Sequence, residues 1–184
     1  YVEGMLTPSL PVIASEFGVT SAQVSLVLAL YSVSGTALNP VVGKLGDIYG
    51  KKRILVYVLI AYLAAVTVTG FSPNFTFMLV SRTVQGIGLS IMPLTFSIVR
   101  EEFPTELIPR ATGLLSGMFG VGFAISLPLG ALISNNYGWR TTYHTATPFV
   151  LLLTVLIFFL VKESAYKRTG AKVDYVGASL LGVS

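Results

Sequence analysis

Residues 43–53 of the chain read GKLGDIYGKKR, a dense cluster of charge between two long apolar runs. The runs that flank it contain no charged residue: 27 residues from Phe17 to Gly43 and 28 residues from Ile54 to Ser81. Each run is long enough to cross a lipid bilayer, which requires about 20 apolar residues. The cluster is therefore predicted to connect two membrane-spanning helices.

Composition places the chain among integral membrane proteins. Hydrophobic residues make up 53% of its 184 residues and charged residues 11%, whereas a soluble domain has about 25% charged residues. The net charge of +4 does not indicate nucleic acid, because the basic residues lie in short clusters between apolar runs. The absence of cysteine excludes disulfides and thiolate metal sites. With no phosphate loop, metal-ligand spacing or catalytic carboxylate pair in the sequence, we expect no cofactor, no metal and no enzyme activity.

The apolar runs predict an all-α membrane protein with six spanning helices. These are expected over residues 1–15, 20–42, 54–69, 75–99, 107–134 and 143–161, with connections at 43–53, 71–74 and 101–105. Pro8 and Pro11 should kink the first helix, and Thr20 with Gln23 fits a capping box for the second. The expected organisation is a six-helix N-terminal half over 1–161, a cytoplasmic linker over 162–174 and the start of a further helix over 175–184.

The basic residues predict the orientation. Ten of the twelve Lys and Arg residues fall in alternate connections, while Arg140 lies on the other side and Arg82 within a span. Positive charge collects in cytoplasmic loops, so the first helix should start, and the sixth end, on the cytoplasmic side of the plasma membrane. Because the chain begins within an apolar segment and without Met, we expect it to be a piece of a longer protein.

The opening stretch resembles the signature loop of the major facilitator superfamily of transporters. Its glycines permit a tight reversal, and Asp47 can accept hydrogen bonds from a helix N-terminus or a basic side chain. The family pattern has a basic residue after the aspartate, where this chain has Ile48. The resemblance implies a cytoplasmic latch between the two halves of a transporter, and the alternative is a loop that only sets topology. The expected latch residues are Gly43, Gly46, Asp47, Gly50, Lys51, Lys52 and Arg53.

Residues 82–88 of the fourth helix, RTVQGIG, resemble the Arg-x-x-Gln-Gly-x-Gly motif of proton-coupled members. An arginine within a span costs at least about 2.5 kcal/mol, so Arg82 should face a partner or a watery cavity. Gln85 and Gly86 follow at three and four positions and so share its face. The resemblance implies proton coupling by Arg82 and Gln85, and the alternative is an arginine that snorkels to the nearby helix end.

The fifth helix is rich in glycine and ends in SLPLGA at residues 126–131. This approximates the Gly-Pro-x-x-Gly-Gly motif of antiporter members, with Gly122, Ser126, Pro128 and Gly130 as the residues that carry the resemblance. The resemblance implies exchange of substrate against protons. Small residues at such spacing are also expected of ordinary close helix packing, which stays open as the alternative.

Glu3 is expected within the first span, about 18 Å from its outer end at 1.5 Å per residue. Multidrug members that resemble this chain can use an acidic residue there for cation recognition or proton exchange; the alternative is a glutamate at the membrane surface. Arg82 is expected about 10 Å from the outer edge, so we expect no direct salt bridge to Glu3. His144 is expected in an aromatic belt at the membrane interface with Trp139 and Tyr143.

The short linker, followed by DYVG at residues 174–177, resembles that of the fourteen-helix drug:proton antiporters. The resemblance implies two inverted three-helix repeats and export of amphipathic compounds in exchange for protons by alternating access. The expected partners are a small-molecule substrate, protons, membrane lipid and the missing C-terminal half, with no nucleic acid. The alternatives are an importer or symporter of the same fold and a non-transporting scaffold or receptor.

Overall fold

The computed structural model describes residues 2–161, and the regular structure in this part of the chain is helical throughout. The linker 162–174 and the further helix at 175–184 lie outside the described residues. Short 3₁₀ turns at Thr7–Ser9 and Gly86–Ser90 connect α1 to α2 and α5 to α6. The helices are α1 (Val2–Leu6), α2 (Leu10–Phe17), α3 (Ser21–Tyr49), α4 (Lys51–Gly70), α5 (Phe75–Gln85), α6 (Ile91–Glu102), α7 (Ile108–Tyr137) and α8 (Trp139–Leu160).

Within residues 2–161, five segments are long and apolar enough to cross a membrane: α3, α4, the run from α5 through α6, α7 and α8. The first predicted span is interrupted where Pro8 enters the 3₁₀ turn, and Pro11 lies in the first turn of the next helix, as its prolines predict. The prediction of an all-α membrane protein is confirmed. The inverted-repeat relation between its two halves stays a prediction.

The start of α3 follows its sequence signal. Thr20 Oγ1 accepts a hydrogen bond from the Gln23 backbone N–H at 3.2 Å, and Gln23 Oε1 accepts one from the Thr20 N–H at 2.9 Å. These two bonds complete the predicted capping box.

The predicted helix ends at charged stretches were wrong. Helix α3 continues to Tyr49 and α4 begins at Lys51, so the expected 43–53 connection is helical except at Gly50. Gly50 has φ +105°, a backbone conformation that glycine adopts without strain, and so it reverses the chain within one residue. Glu101 and Glu102 likewise belong to α6. Lys, Arg and Glu are good helix formers, and charge therefore marks the membrane edge rather than the helix end.

The core has two parts. One, towards the basic end where Lys51 begins α4, contains Leu55, Leu59 and Leu94. The other, towards the opposite end, contains Trp139 and Tyr143, and the predicted aromatic belt was wrong for these two residues, which are 1% and 2% exposed.

The burial of Trp139 follows from its partner. Its Nε1–H donates to the Glu16 carboxylate at 2.6 Å, and this carboxylate also pairs with Arg140. Because the indole N–H is satisfied inside the protein, it does not need interfacial water. His144 is exposed, with its ring 4.7 Å from that of Phe71.

Candidate functional site

Glu3 of α1 and Arg82 of α5 form a bidentate ion pair inside the bundle. Arg82 Nη1 donates to Glu3 Oε1 at 3.2 Å and Nη2 donates to Oε2 at 2.6 Å. The arginine side chain is 0% exposed and the glutamate 24%. The expectation of no direct salt bridge was therefore wrong. That expectation compared the membrane depths of the two residues from the helix rise per residue alone. It left out the length of the arginine side chain and the tilt of the helices.

Arg82 has further partners on α3. Its Nε–H donates to the Val27 carbonyl at 3.2 Å, and its guanidinium lies 4.7 Å from the ring centroid of Tyr31. A buried charge is tolerated when it is paired and hydrogen-bonded, and a ring face adds a cation–π attraction. Full burial excludes the alternative in which Arg82 snorkels to the membrane surface.

Gln85 reaches the same carboxylate as Arg82. Its Nε2 donates to Glu3 Oε1 at 3.1 Å, while its Oε1 lies 3.4 Å from Thr69 Oγ1 of α4. Thr69 also contacts the Ser81 hydroxyl at 3.0 Å. The spacing of three residues does place Arg82 and Gln85 on one face of α5, and polar groups of α4 support them.

The glycines of the RTVQGIG motif allow close helix approach. A Cβ at Gly86 would lie 2.5 Å from the Tyr31 carbonyl oxygen, and one at Gly88 would overlap the Tyr62 ring. A side chain at either position would push this segment away from α3 or α4. Glycine at these positions therefore keeps Arg82 within reach of its partners on α3.

A cavity of about 340 Å³ adjoins the open side of Glu3. Its wall includes Tyr31, Tyr62, Met92 and Phe119. A carboxylate among aromatic rings suits a cation with an apolar body, because both the negative charge and the ring faces attract it. The sequence analysis did not identify these aromatic residues. They could have been found as aromatic side chains within spans that are otherwise largely aliphatic.

Helix α7 holds the segment that carries Glu3. A Cβ at Gly130 would lie 2.5 Å from Met5 Cα, and one at Gly4 would overlap the Ser126 side chain. Ser126 and Gly130 of the antiporter-like motif thus pack against α1, and Pro128 lies inside α7 between them.

The other small residues of α7 behave differently. Within the described part of the chain, a Cβ at Gly122 would meet no atom within 4 Å, and the same holds at Gly113, Gly117 and Gly120. The motif therefore contains one glycine packed against α1, Gly130, and one with open space beside it, Gly122. Close packing accounts for Gly130, but among residues 2–161 it does not account for Gly122.

At the basic end, Lys51 joins three helices. Its Nζ lies 3.4 Å from Asp47 Oδ1 of α3 and pairs with Glu101 of α6. The Asp47 side chain stays 41% exposed. Sequence reasoning missed Glu101 by assigning it to a loop, although an acidic residue at the basic end of the fourth span was a usable signal.

The remaining predicted latch residues have separate roles. A Cβ at Gly46 would lie 2.9 Å from Leu94 Cδ2, so this glycine lets α3 approach α6. Gly50 makes the reversal, and Gly43 has open space around it. Lys52 and Arg53 form no ion pair with the described residues.

Sequence comparisons agree on one family. The model of the Major Facilitator Superfamily matches residues 1–181. Multidrug resistance protein 3 of Bacillus subtilis is 32% identical over 159 residues, which are 86% of this chain and 31% of that protein. Multidrug resistance protein fnx1 of Schizosaccharomyces pombe is 30% identical over 178 residues, 93% of this chain and 33% of that protein.

A third relative is named for a different activity. The vacuolar membrane amino acid uptake transporter fnx2 of Schizosaccharomyces pombe is 28% identical over 176 residues, 92% of this chain and 30% of that protein. The chain thus spans about a third of the length of these curated relatives. The relatives are transporters, which supports the expectation that the chain is not an enzyme.

The fold also matches a solved transporter structure. The human organic anion transporter MFSD10 superposes with a TM-score of 0.72 at 17% identity, covering 98% of this chain and 49% of that one. At this identity the match describes the fold alone.

Proposed function

The chain belongs to the major facilitator superfamily, and on that premise we propose that it is the N-terminal half of a proton-coupled exporter of amphipathic, drug-like compounds. Transport is by alternating access, with α1–α4 and α5–α8 as inverted three-helix repeats. The transporter lies in the plasma membrane, and the basic end of the bundle faces the cytoplasm. The observation that carries the proposal is the Glu3 carboxylate, held on one side by Arg82 and Gln85 and open on the other to an aromatic cavity.

In this mechanism a proton and a cationic substrate compete for Glu3. The ionised carboxylate attracts a cation into the cavity, where Tyr31, Tyr62 and Phe119 contact its apolar body. Protonation removes that negative charge and weakens substrate binding. Arg82 remains protonated throughout because guanidinium does not lose its proton in proteins. Its fixed charge stays beside the Glu3 carboxylate through two hydrogen bonds.

In the proposal, two surfaces of this half contact the missing half of the transporter. The Asp47 carboxylate is exposed and contacts Lys51, and in the proposal it meets a helix N-terminus or basic group of the missing half in one transport state. The open space beside Gly122 of α7 leaves a surface on which a helix can approach closely. We assign the latch to the first surface and inter-half packing to the second.

Transport by the full-length protein in liposomes tests the proposal, with a labelled lipophilic cation as the probe. An antiporter accumulates the cation when the liposome interior is acidic, because protons leave as substrate enters. The uptake activity for which fnx2 is named favours a second candidate, a symporter or importer, which accumulates substrate when the exterior is acidic. Uptake that does not respond to either gradient would overturn proton coupling.

A further inference from the structure

A second cavity, of about 320 Å³, lies on the basic end of the bundle between the start of α4 and the end of α8. It is lined by Lys52, Arg53, Val56, Tyr57 and Phe158. It shares no lining residue with the cavity beside Glu3. This site therefore requires an explanation separate from substrate transport.

The two cations of this cavity differ from their neighbour. The Lys51 ammonium pairs with the carboxylates of Asp47 and Glu101. By contrast, no carboxylate among residues 2–161 forms an ion pair with Lys52 or Arg53. Two adjacent cations on a cavity wall match an anionic group, and a phosphate can accept charge-assisted hydrogen bonds from both.

The rest of the wall is apolar and aromatic. Lys52 Nζ lies 5.6 Å from the ring centroid of Phe158, and the Tyr57 and Phe158 side chains are 57% and 54% exposed. Val56 and Tyr57 follow Lys52 and Arg53 by four residues, or about 6 Å along the helix. The wall thus changes from cationic to aromatic and aliphatic over the distance that separates a headgroup from its acyl chains.

We propose that this cavity binds an anionic phospholipid. The phosphate lies between Lys52 and Arg53, and the first segments of the acyl chains lie against Tyr57 and Phe158. A water-soluble phosphate matches the cationic rim but leaves the aromatic wall uncovered, and a zwitterionic lipid brings a positive headgroup charge towards Lys52 and Arg53. In the proposed orientation the lipid comes from the cytoplasmic leaflet, which carries the anionic lipids.

Lipid retention by the full-length protein, measured by native mass spectrometry after exchange into detergent, tests this site. The probes are phosphatidylglycerol and phosphatidylcholine with identical acyl chains. For the Lys52→Gln/Arg53→Gln variant we expect about 25-fold weaker phosphatidylglycerol binding, since each basic residue near an anionic lipid contributes roughly fivefold. Phosphatidylcholine, in which a positive choline follows the same phosphate, should bind the wild type more weakly and lose less affinity in the variant.

The control variant Arg100→Gln/Arg110→Gln removes the same charge from exposed positions at the same end that do not line the cavity. It should retain phosphatidylglycerol like the wild type. Phe158→Ala leaves both cations in place and should weaken both lipids equally. If the two double variants lost phosphatidylglycerol binding equally, or if neither lost any, the proposed site would be overturned. Displacement of the lipid by glycerol phosphate at equal concentration would show a site for soluble phosphate and would refute the lipid.

Discussion

Glu3 and Arg82 lie 79 positions apart in the chain, yet two parallel hydrogen bonds join their carboxylate and guanidinium groups. The arginine is fully buried, while the glutamate borders a cavity. The pair joins the first segment of the chain to α5, and it leaves one charged group accessible to protons and the other enclosed. On that asymmetry we base the proposal that Glu3 exchanges the proton while Arg82 supplies the fixed charge.

Glu3→Gln should abolish transport driven by a pH gradient, because the amide keeps the size of the side chain but does not exchange a proton. In the wild type, binding of a lipophilic cation should strengthen as pH rises, since deprotonation of Glu3 restores the negative charge. The variant should bind more weakly and without pH dependence, as measured by binding assays across a pH series. Glu106→Gln, which neutralises an exposed carboxylate, is the control. A wild-type pH profile for Glu3→Gln would remove Glu3 from the mechanism.

Replacement of Arg82 should separate charge from geometry. Arg82→Lys keeps the charge but loses the planar fork that contacts both Glu3 oxygens and the Val27 carbonyl, so we expect it to lose proton-driven transport like Arg82→Ala. Breaking one side of a buried ion pair costs about 3–5 kcal/mol, and thermal unfolding in detergent should show this loss. The double variant Glu3→Gln/Arg82→Gln should recover part of the stability. Wild-type transport by Arg82→Lys would mean that charge alone matters.

Two glycines of α7 should respond differently to alanine. Gly130→Ala places a Cβ against the Met5 backbone and should destabilise the protein by about 1–3 kcal/mol, as other overpacked sites do. Gly122→Ala meets no atom among the described residues and should keep the unfolding temperature. If a helix of the other half packs beside Gly122 during transport, Gly122→Ala should nevertheless slow transport. Equal destabilisation by both substitutions would contradict the division of this motif into packed and open glycines.

Asp47→Asn should reduce transport sharply and leave substrate affinity within a few fold, because Asp47 lies at the basic end of the bundle and does not line the Glu3 cavity. Glu101→Gln should have a smaller effect in the same direction, since it removes one of the two carboxylates that hold Lys51. Glu102→Gln alters the neighbouring exposed residue and serves as the control. Parallel transport and binding assays are required, and an equal loss of both in Asp47→Asn would count against the latch.

Orientation can be measured because the chain contains no cysteine. Tyr49→Cys lies at the basic end and Tyr137→Cys at the opposite end, at positions where the tyrosines are 54% and 75% exposed. A membrane-impermeant thiol reagent added to intact cells should label the cysteine at 137 and spare the one at 49, because basic connections face the cytoplasm. The reverse pattern would invert the proposed topology. Lys167, which we also expect on the cytoplasmic side, lies outside the described residues.

Local signals in the sequence determined the class of the protein and much of its secondary structure. The apolar runs predicted the spans, Thr20 and Gln23 predicted the start of α3, and the spacing of Arg82 and Gln85 predicted their shared face. Each of these depends on hydrogen bonds or periodicity within a few residues, so no knowledge of other segments was needed. Among the predictions from local signals, those of the helix ends were wrong, because charged residues extend a helix beyond the apolar run.

The tertiary structure decided which faces meet. Nothing near Glu3 in the sequence indicates that its partner is Arg82, and nothing near Lys51 indicates Glu101, because such pairs depend on how helices tilt and cross. The way the helices cross also decided that Gly130 packs against α1 while Gly122 has open space beside it, although both are glycines of the same helix. A sequence pattern shows which residues share a helix face, whereas the partner of that face is chosen by packing among helices that are distant in the chain.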